Sequence, residues 1–458
     1  MNEANFSRRP YKIVQLQRHT KNDGILSNPV WSLIFILLHI PLGLIVSEKS
    51  VFTTLHALIV LFIGVFWALS KKRIERSTYI IAYITGAEVL WRMTDARVFY
   101  EYGKYSVVLI SLISIIVLLR QRGRLKTSAL IIWYFILLTP SILITLLNFA
   151  PNIAMDKISF NLSGPLAIMF CVLIFSNINI TKAQFNNMLI AFVAPIVTMA
   201  IVATNNVLLH GSFEFTGQSN LLLSTNISPN QISSIFGLGM FIIFTLLVLD
   251  SNHYTLLRIL FVGLICAFFV LSALTFSRGG LYLAGISILV LVTLFIRGQW
   301  RFTAIGIIFI IAVVAQFGLF PFLENYTGGA FFERFGDISP SMRDQIGAAD
   351  LKIWLDNPIY GVGPGGAVGF RRELLSLGAS AHTEYTRVLA EHGILGLVSM
   401  FFLFVYIGGL LKTHYQTPFW GIAWALVIWA LLYFLINDTR LVAPAFVIGI
   451  VSMKISYN

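Results

Sequence analysis

The chain has 458 residues, of which 57% are hydrophobic and only 11% charged, with a formal net charge of +12. A mean hydropathy of +0.83 excludes a soluble globular domain or a disordered chain and points to a membrane protein built of helices, because in lipid the backbone must satisfy its own hydrogen bonds. The two cysteines, Cys171 and Cys266, both fall in apolar runs, which argues for packing residues rather than a disulfide or a metal site.

The chain opens on a polar, basic segment without the short apolar core and small-residue cleavage site of a secretory signal. Apolar runs then recur near 30–46, 51–70, 78–91, 105–119, 128–148, 163–176, 185–209, 229–249, 259–276, 279–296, 302–320, 391–411, 418–436 and 441–453. They predict an all-α polytopic membrane protein with about 12–14 transmembrane helices. Three runs, 78–91, 163–176 and 441–453, are short for a bilayer of about 30 Å. Pro41, Pro140 and Pro195 are candidate kinks. Four regions follow: a cytoplasmic basic segment 1–28, a transmembrane bundle 29–320, a large periplasmic loop 321–390 with short amphipathic helices, and C-terminal spans 391–458.

Alternating the spans from a cytoplasmic N-terminus places the dense basic clusters on one side. These are Arg8, Arg9, Lys12, Arg18 and Lys21; Lys71, Lys72, Arg73 and Arg76; and Arg120, Arg122, Arg124 and Lys126. Lys182, Arg258, Arg297, Arg301, Lys412 and Lys454 fall on the same side. That asymmetry follows the positive-inside rule. The positive charge is therefore a topology signal, and its partner is an anionic lipid bilayer rather than nucleic acid.

Within the early spans, His39 and His56 are expected to make interhelical hydrogen bonds, and Glu88, Arg92 and Arg97 to form a structural ion-pair group. Further on, Arg278 interrupts two apolar runs in Leu274-Thr275-Phe276-Ser277-Arg278-Gly279-Gly280. An arginine at a bilayer centre costs roughly 2.5–3.5 kcal/mol on insertion scales, so it belongs at a span end or facing a polar cavity. There it either snorkels to lipid headgroups or holds a membrane-tied anion.

The same alternation puts Arg278 and the whole 321–390 loop on the extracytoplasmic side, with Arg334, Arg343, Lys352, Arg371, Arg372 and Arg387 in the loop. Residues 321–340 are rich in Gly, Phe and Pro and read as irregular. From Arg343 to Leu355 the spacing predicts a helix with Ile346, Ala349, Ile353 and Trp354 on one stripe, ended by Asn357-Pro358. Asp337, Asp344, Asp350 and Asp356 are scattered and read as solvated acids. Gly361, Gly363 and Gly366 satisfy a bare GxGxxG, but no strand precedes it and Pro364 interrupts it. Its use is a tight turn with close backbone approach. Ala381 to Gly393 then opens the next span. Glu384 with Arg387, and Arg387 with Glu391, are spaced to brace one helix face, and His382 stands at the helix start.

Three features together resemble the O-antigen ligase and polymerase family of bacterial integral membrane glycosyltransferases. They are Ser277-Arg278-Gly279-Gly280 opening a span; Ser341-x-Arg343 with Trp354, Asn357-Pro358 and Gly361-x-Gly363-x-Gly365; and Ala381-His382-x-x-Tyr385 followed by Leu389-Ala390-Glu391-x-Gly393-Ile394-Leu395-Gly396-Leu397. The likeness covers roughly 270–400. Thr383 departs from the asparagine that often follows the family's histidine. The resemblance implies glycan transfer at the periplasmic face of the inner membrane. The implied donor is a glycan on undecaprenyl pyrophosphate. The implied acceptor is a saccharide, on the lipid A core in ligases or on a lipid-linked repeat unit in polymerases. By motif match Arg278, Arg343 and His382 are the catalytic candidates. Arg371, Arg372, Tyr385 and Thr386 are candidates for substrate contact. No cofactor or metal is expected. Two arginines suit a pyrophosphate leaving group, and a neutral histidine suits an acceptor hydroxyl. The rival class is a transporter or flippase of lipid-linked glycans, which would show mid-span ionisable groups or paired broken helices.

Overall fold

A computed structural model of the chain describes residues 24–71, 73–209, 227–249, 254–295, 302, 305–306, 309, 313, 315–336, 342–375 and 380–456. Arg8, Arg9, Lys12, Arg18, Lys21, Lys72, Arg297, Arg301, Asp337 and Ser341 lie outside the described residues.

The protein is an all-α, multi-pass membrane protein. Among the described residues, nine helical segments are long and apolar enough to cross a bilayer. The helices are α1 (Pro29–Leu37), α2 (His39–Glu48), α3 (Ser50–Leu69), α4 (Arg76–Met93), α5 (Tyr102–Arg122), α6 (Ala129–Ile136), α7 (Ile142–Asn148) and α8 (Pro151–Phe175). After them come α9 (Lys182–Leu209), α10 (Pro229–Leu249), α11 (Thr255–Leu274) and α12 (Arg278–Phe295). The 321–390 segment holds α13 (Phe320–Tyr326), α14 (Ala330–Gly336), α15 (Arg343–Asp356) and α16 (Ala367–Leu375). The chain finishes with α17 (Glu384–His414), α18 (Trp420–Ile436) and α19 (Ala443–Ser452). A two-stranded parallel ladder pairs β1 (Asn179–Thr181) with β2 (Lys454–Ser456).

Several expectations need correction. Residues 321–340 are not irregular where described: α13 and α14 form there, joined by Gly328 and Gly329 at positive φ. The 163–176 run is the second half of the 25-residue α8. Its first half carries Asp156, Lys157 and Asn161 and so escapes hydropathy. The 128–148 run is broken into α6 and α7 around Pro140, as expected of an interior proline. Only α19 stays short. All ten of its residues are buried, so its length of about 15 Å sits within protein rather than in lipid.

The bundle core is continuous. α9 packs on α2 and α4, α10 on α11 and α12, and α8 on α5 and α19. Polar groups in the early spans find one another: His39 Nε2 and His56 Nε2 lie 2.9 and 2.8 Å from the Tyr83 hydroxyl. The two cysteines are free, Cys171 buried and Cys266 exposed.

The bundle has two chemically distinct ends. At one, Lys71, Arg73, Arg120, Arg122 and Arg124 are exposed. The other end gathers the C-terminus of α4, the N-termini of α5, α8, α10, α12 and α17, and the connection between α18 and α19. There Arg92 bonds Glu88 at 2.7 Å, Gln231 at 2.9 Å and the Arg440 carbonyl at 3.2 Å. Glu88 accepts from the Val442 amide at 2.7 Å.

Candidate functional site

The start of α12 is set by backbone contact with α10. Gly280 and Gly237 face each other so closely that a Cβ on Gly280 would overlap the Ser233 carbonyl, and one on Gly237 the Gly280 carbonyl. Ser233 Oγ accepts from the Gly280 amide at 3.2 Å and donates to the Ser277 carbonyl at 2.8 Å. Ser277 Oγ donates to Asn230 Oδ1 at 2.7 Å. The Ser-Arg-Gly-Gly sequence is thus a docking device: the serine ties the turn, the glycine permits contact, and Arg278 is projected at a helix start. Before it, Phe276 holds a positive φ of 56°, a costly conformation for a bulky residue. Its carbonyl accepts from Arg334 Nε at 3.0 Å, so α14 docks on the same turn.

Arg343 opens α15, and its electrostatic neighbours are Arg278 and Arg334. Burial first, then these two cations, lower its pKa below the ordinary arginine value. The two arginines expected from sequence are therefore brought together, with Arg334 as a third that the motif does not single out.

His382 lies just before α17. Thr383 caps that helix by accepting from the Tyr385 amide at 3.2 Å, and it donates to the Phe434 carbonyl at 3.2 Å. Thr383 is thus the N-cap of α17, a role that an asparagine at this position would also fill. The His382 pKa is pushed down to about 4, first by burial and then by the positive charges of Arg343 and Arg440, with Asp438 acting the other way. The imidazole is neutral at pH 7 and adjoins the arginine group through Arg343.

The other candidates divide. Arg371 is 1% exposed and pairs with Asp350, itself 0% exposed, at 2.6 Å. Asp350 is thus not the solvated acid that its place in the sequence suggests; it also accepts from Thr386 Oγ1 at 2.8 Å. Tyr385 donates to the Leu431 carbonyl at 2.8 Å. Arg372 is exposed on α16. The Arg387 pairs are as expected, to Glu384 at 2.6 Å and Glu391 at 2.7 Å. Glu384 further accepts from the Thr439 amide at 3.0 Å, which ties the start of α17 to the α18–α19 connection.

The glycine turn is a plug rather than a ligand loop. Gly361, Gly363 and Gly365 all have positive φ. Val362 and Gly363 amides donate to the Ala390 and Glu391 carbonyls at 3.0 Å. There α17 is broken at Gly393, whose φ is 61°. Beside the turn lies a cavity of about 260 Å³ whose walls include Lys157, Phe160, Asn161, Arg371, Asp438 and Arg440. Sequence reading misses Lys157 and Asp438; the Asp438-x-Arg440 doublet between two apolar runs is the available signal. Among the described residues, no three His, Cys, Asp or Glu side chains cluster to hold a metal ion.

Residues 261–401 match the family model described as O-antigen ligase. The chain carries an O-antigen ligase domain. The matched stretch runs from α11 through Arg278, Arg343 and His382 into α17, so it contains all three catalytic candidates. A comparison with curated proteins found no match. The O-antigen ligase domain assigns the chain to glycosyl transfer of the ligase or polymerase type, with a lipid-linked glycan and a saccharide as substrates in a membrane.

Proposed function

We propose that the protein transfers a glycan from undecaprenyl pyrophosphate to a saccharide acceptor at the periplasmic face of the bacterial inner membrane. The observation that carries this reading is the convergence of Arg278, Arg334 and Arg343 beside a neutral His382. Like charges crowd together at a cost that a bound anion relieves. A pyrophosphate tied to lipid is such an anion, and guanidinium forks fit its oxygens. The exposed basic cluster at the opposite end supports a periplasmic site.

In the proposed step the acceptor hydroxyl oxygen attacks the anomeric carbon of the donor sugar. The new carbon–oxygen bond forms as the bond from that carbon to the phosphate oxygen breaks. The bonding pair leaves with undecaprenyl pyrophosphate, whose charge the arginines stabilise. The hydroxyl proton passes to the neutral imidazole of His382 and from there to solvent. In-line attack inverts the anomeric centre, and the arginines supply positive charge without a metal. The acceptor hydroxyl belongs to a sugar of the lipid A core or of another lipid-linked repeat.

The test is a detergent-solubilised assay with undecaprenyl-pyrophosphate-linked glycan and acceptor. Product formation without a sealed vesicle separates a transferase from a flippase. His382→Ala is expected to lower transfer by about 10²–10⁴-fold. Wild-type turnover in that variant would remove His382 from the mechanism.

A further inference from the structure

The cavity beside the glycine turn has a different character from the arginine group. Its three arginines are each paired with a carboxylate within the protein. Arg440 pairs with Asp438 at 2.6 Å, Arg371 with Asp350 at 2.6 Å, and Arg387 with Glu384 and Glu391. Lys157 donates to the Gly365 carbonyl at 2.7 Å. A second anion would have to displace the carboxylates from the arginines and the carbonyl from Lys157. Polar groups line the bowl: the Asp438 carboxylate, 5% exposed, and the Asn161 amide, 9% exposed, which donates to the Lys157 carbonyl at 2.8 Å and accepts from Arg387 at 3.3 Å. Phe160 and Val368 form an apolar wall. Paired polar groups with an apolar wall suit a polyhydroxyl ring that carries no charge. A volume of about 260 Å³ sits just below the range of about 300–1,000 Å³ typical of drug-sized ligands, so it fits one ring and not a chain.

The cavity also opens in the right place. Ala381 lines it, and Arg440 Nη2 donates to the Ala381 carbonyl at 3.1 Å. His382 is the next residue. Its charged neighbours are Arg343 on the anion side and Arg440, Asp438 and Arg371 on the cavity side. The imidazole is not itself in the cavity wall, but it lies in the field of residues on both sides.

We propose that this cavity binds the terminal sugar ring of the acceptor, an uncharged pyranose, and presents its hydroxyl to His382. The inference rests on the glycosyl-transfer reading above and assigns the acceptor's chemical class. Asp438 accepts hydrogen bonds from the ring hydroxyls, and Arg440 holds Asp438 in place.

Saturation-transfer NMR on the intact, detergent-solubilised protein tests it, with methyl glucoside, methyl galactoside, methyl mannoside and methyl N-acetylglucosaminide as neutral probes and methyl glucuronide as the charged one. At least one neutral pyranoside is expected to receive saturation, and methyl glucuronide to receive none. Val368→Trp fills the cavity and Ser380→Trp, at an exposed position, blocks its mouth; each is expected to abolish the signal. Both are expected to leave binding of undecaprenyl pyrophosphate, measured in parallel, within twofold of wild type. Absence of signal for every neutral probe overturns the proposal, as does equal or stronger signal from the glucuronide, or signal surviving both tryptophans. If undecaprenyl pyrophosphate fails to bind while the pyranoside signal behaves as expected, the donor assignment falls and the sugar pocket stands.

Discussion

Arg343 and Arg371 belong to the same segment between two spans, yet their surroundings are opposite. Arg371 is enclosed with a carboxylate at 2.6 Å. Arg343 is half-buried and acted on by two further arginines. The first arrangement is self-sufficient and holds α15, α16 and α17 together. The second gathers like charges around Arg343 at the start of α15, and guanidinium groups gathered in this way attract an anion. The contrast separates arginines that build the scaffold from arginines that serve the substrate, a distinction that position in the sequence does not make.

The sharpest way to break the comparison is to keep the charge and change its shape. Arg278→Lys and Arg343→Lys are each expected to reduce transfer by about 10²–10³-fold, because a point charge replaces a planar fork. Thermal stability in detergent is expected to stay near wild type in both. Full activity in either would show that charge alone suffices and would end the clamp.

The scaffold side should respond in the other way. Asp350→Ala removes the carboxylate that pairs with Arg371 Nε and the acceptor of Thr386. Losing one partner of a buried pair costs about 3–5 kcal/mol. A marked drop in the thermal midpoint in detergent is expected, with activity lost only in proportion to folded protein. An unchanged midpoint would place Arg371 with the substrate-facing group.

Which arginine belongs to which group is only partly legible in the sequence. Glu384, Arg387 and Glu391 are readable because their partners lie three or four residues apart on one helix. Arg371 and Asp350 are not, because 21 residues and a glycine turn separate them. The spans follow from hydropathy, except where α8 carries its polar face: there Lys157 is fixed to the Gly365 carbonyl and Asn161 to Arg387. The helices α13 and α14 are hidden by a proline and two glycines that mark their ends rather than their absence. The bond from Arg92 to the Arg440 carbonyl spans 348 residues, beyond any local rule. The motif residues Arg278, Arg343 and His382 are found by resemblance, and only the fold could show that Arg334 joins them.

A smaller effect sharpens how α12 delivers Arg278. Gly280→Ala forces a methyl group into the Ser233 carbonyl. Overpacking of this kind costs about 1–3 kcal/mol, and it should shift the arginine as well as destabilise the protein. At Gly285, on the same helix, an added Cβ would meet nothing within 4 Å. Gly285→Ala is expected to change stability by less than about 1 kcal/mol and to leave transfer intact. Equal behaviour of the two variants in thermal and transfer assays would mean the helix contact does not position Arg278.

The smallest expected effect is in the pH dependence, where the arginine group acts on His382 rather than on substrate. An ordinary histidine with a pKa of about 6.5 would be only about one-tenth neutral at pH 5.5, and a base of that kind would lose roughly tenfold in rate. Burial and the neighbouring positive charges put His382 at about 4. The sign is that of a depressed group: the neutral, proton-accepting form persists as pH falls and is lost only through the lower value. Measured as kcat/KM at limiting donor, which reports the free enzyme, transfer should therefore change by less than about twofold between pH 8 and pH 5.5 on account of this group. Replacing Arg343 by Met removes the first-named positive neighbour, so the residual activity should fall off at a higher pH than in the wild type. An identical acid limb in the two proteins would show that Arg343 and His382 do not share a field.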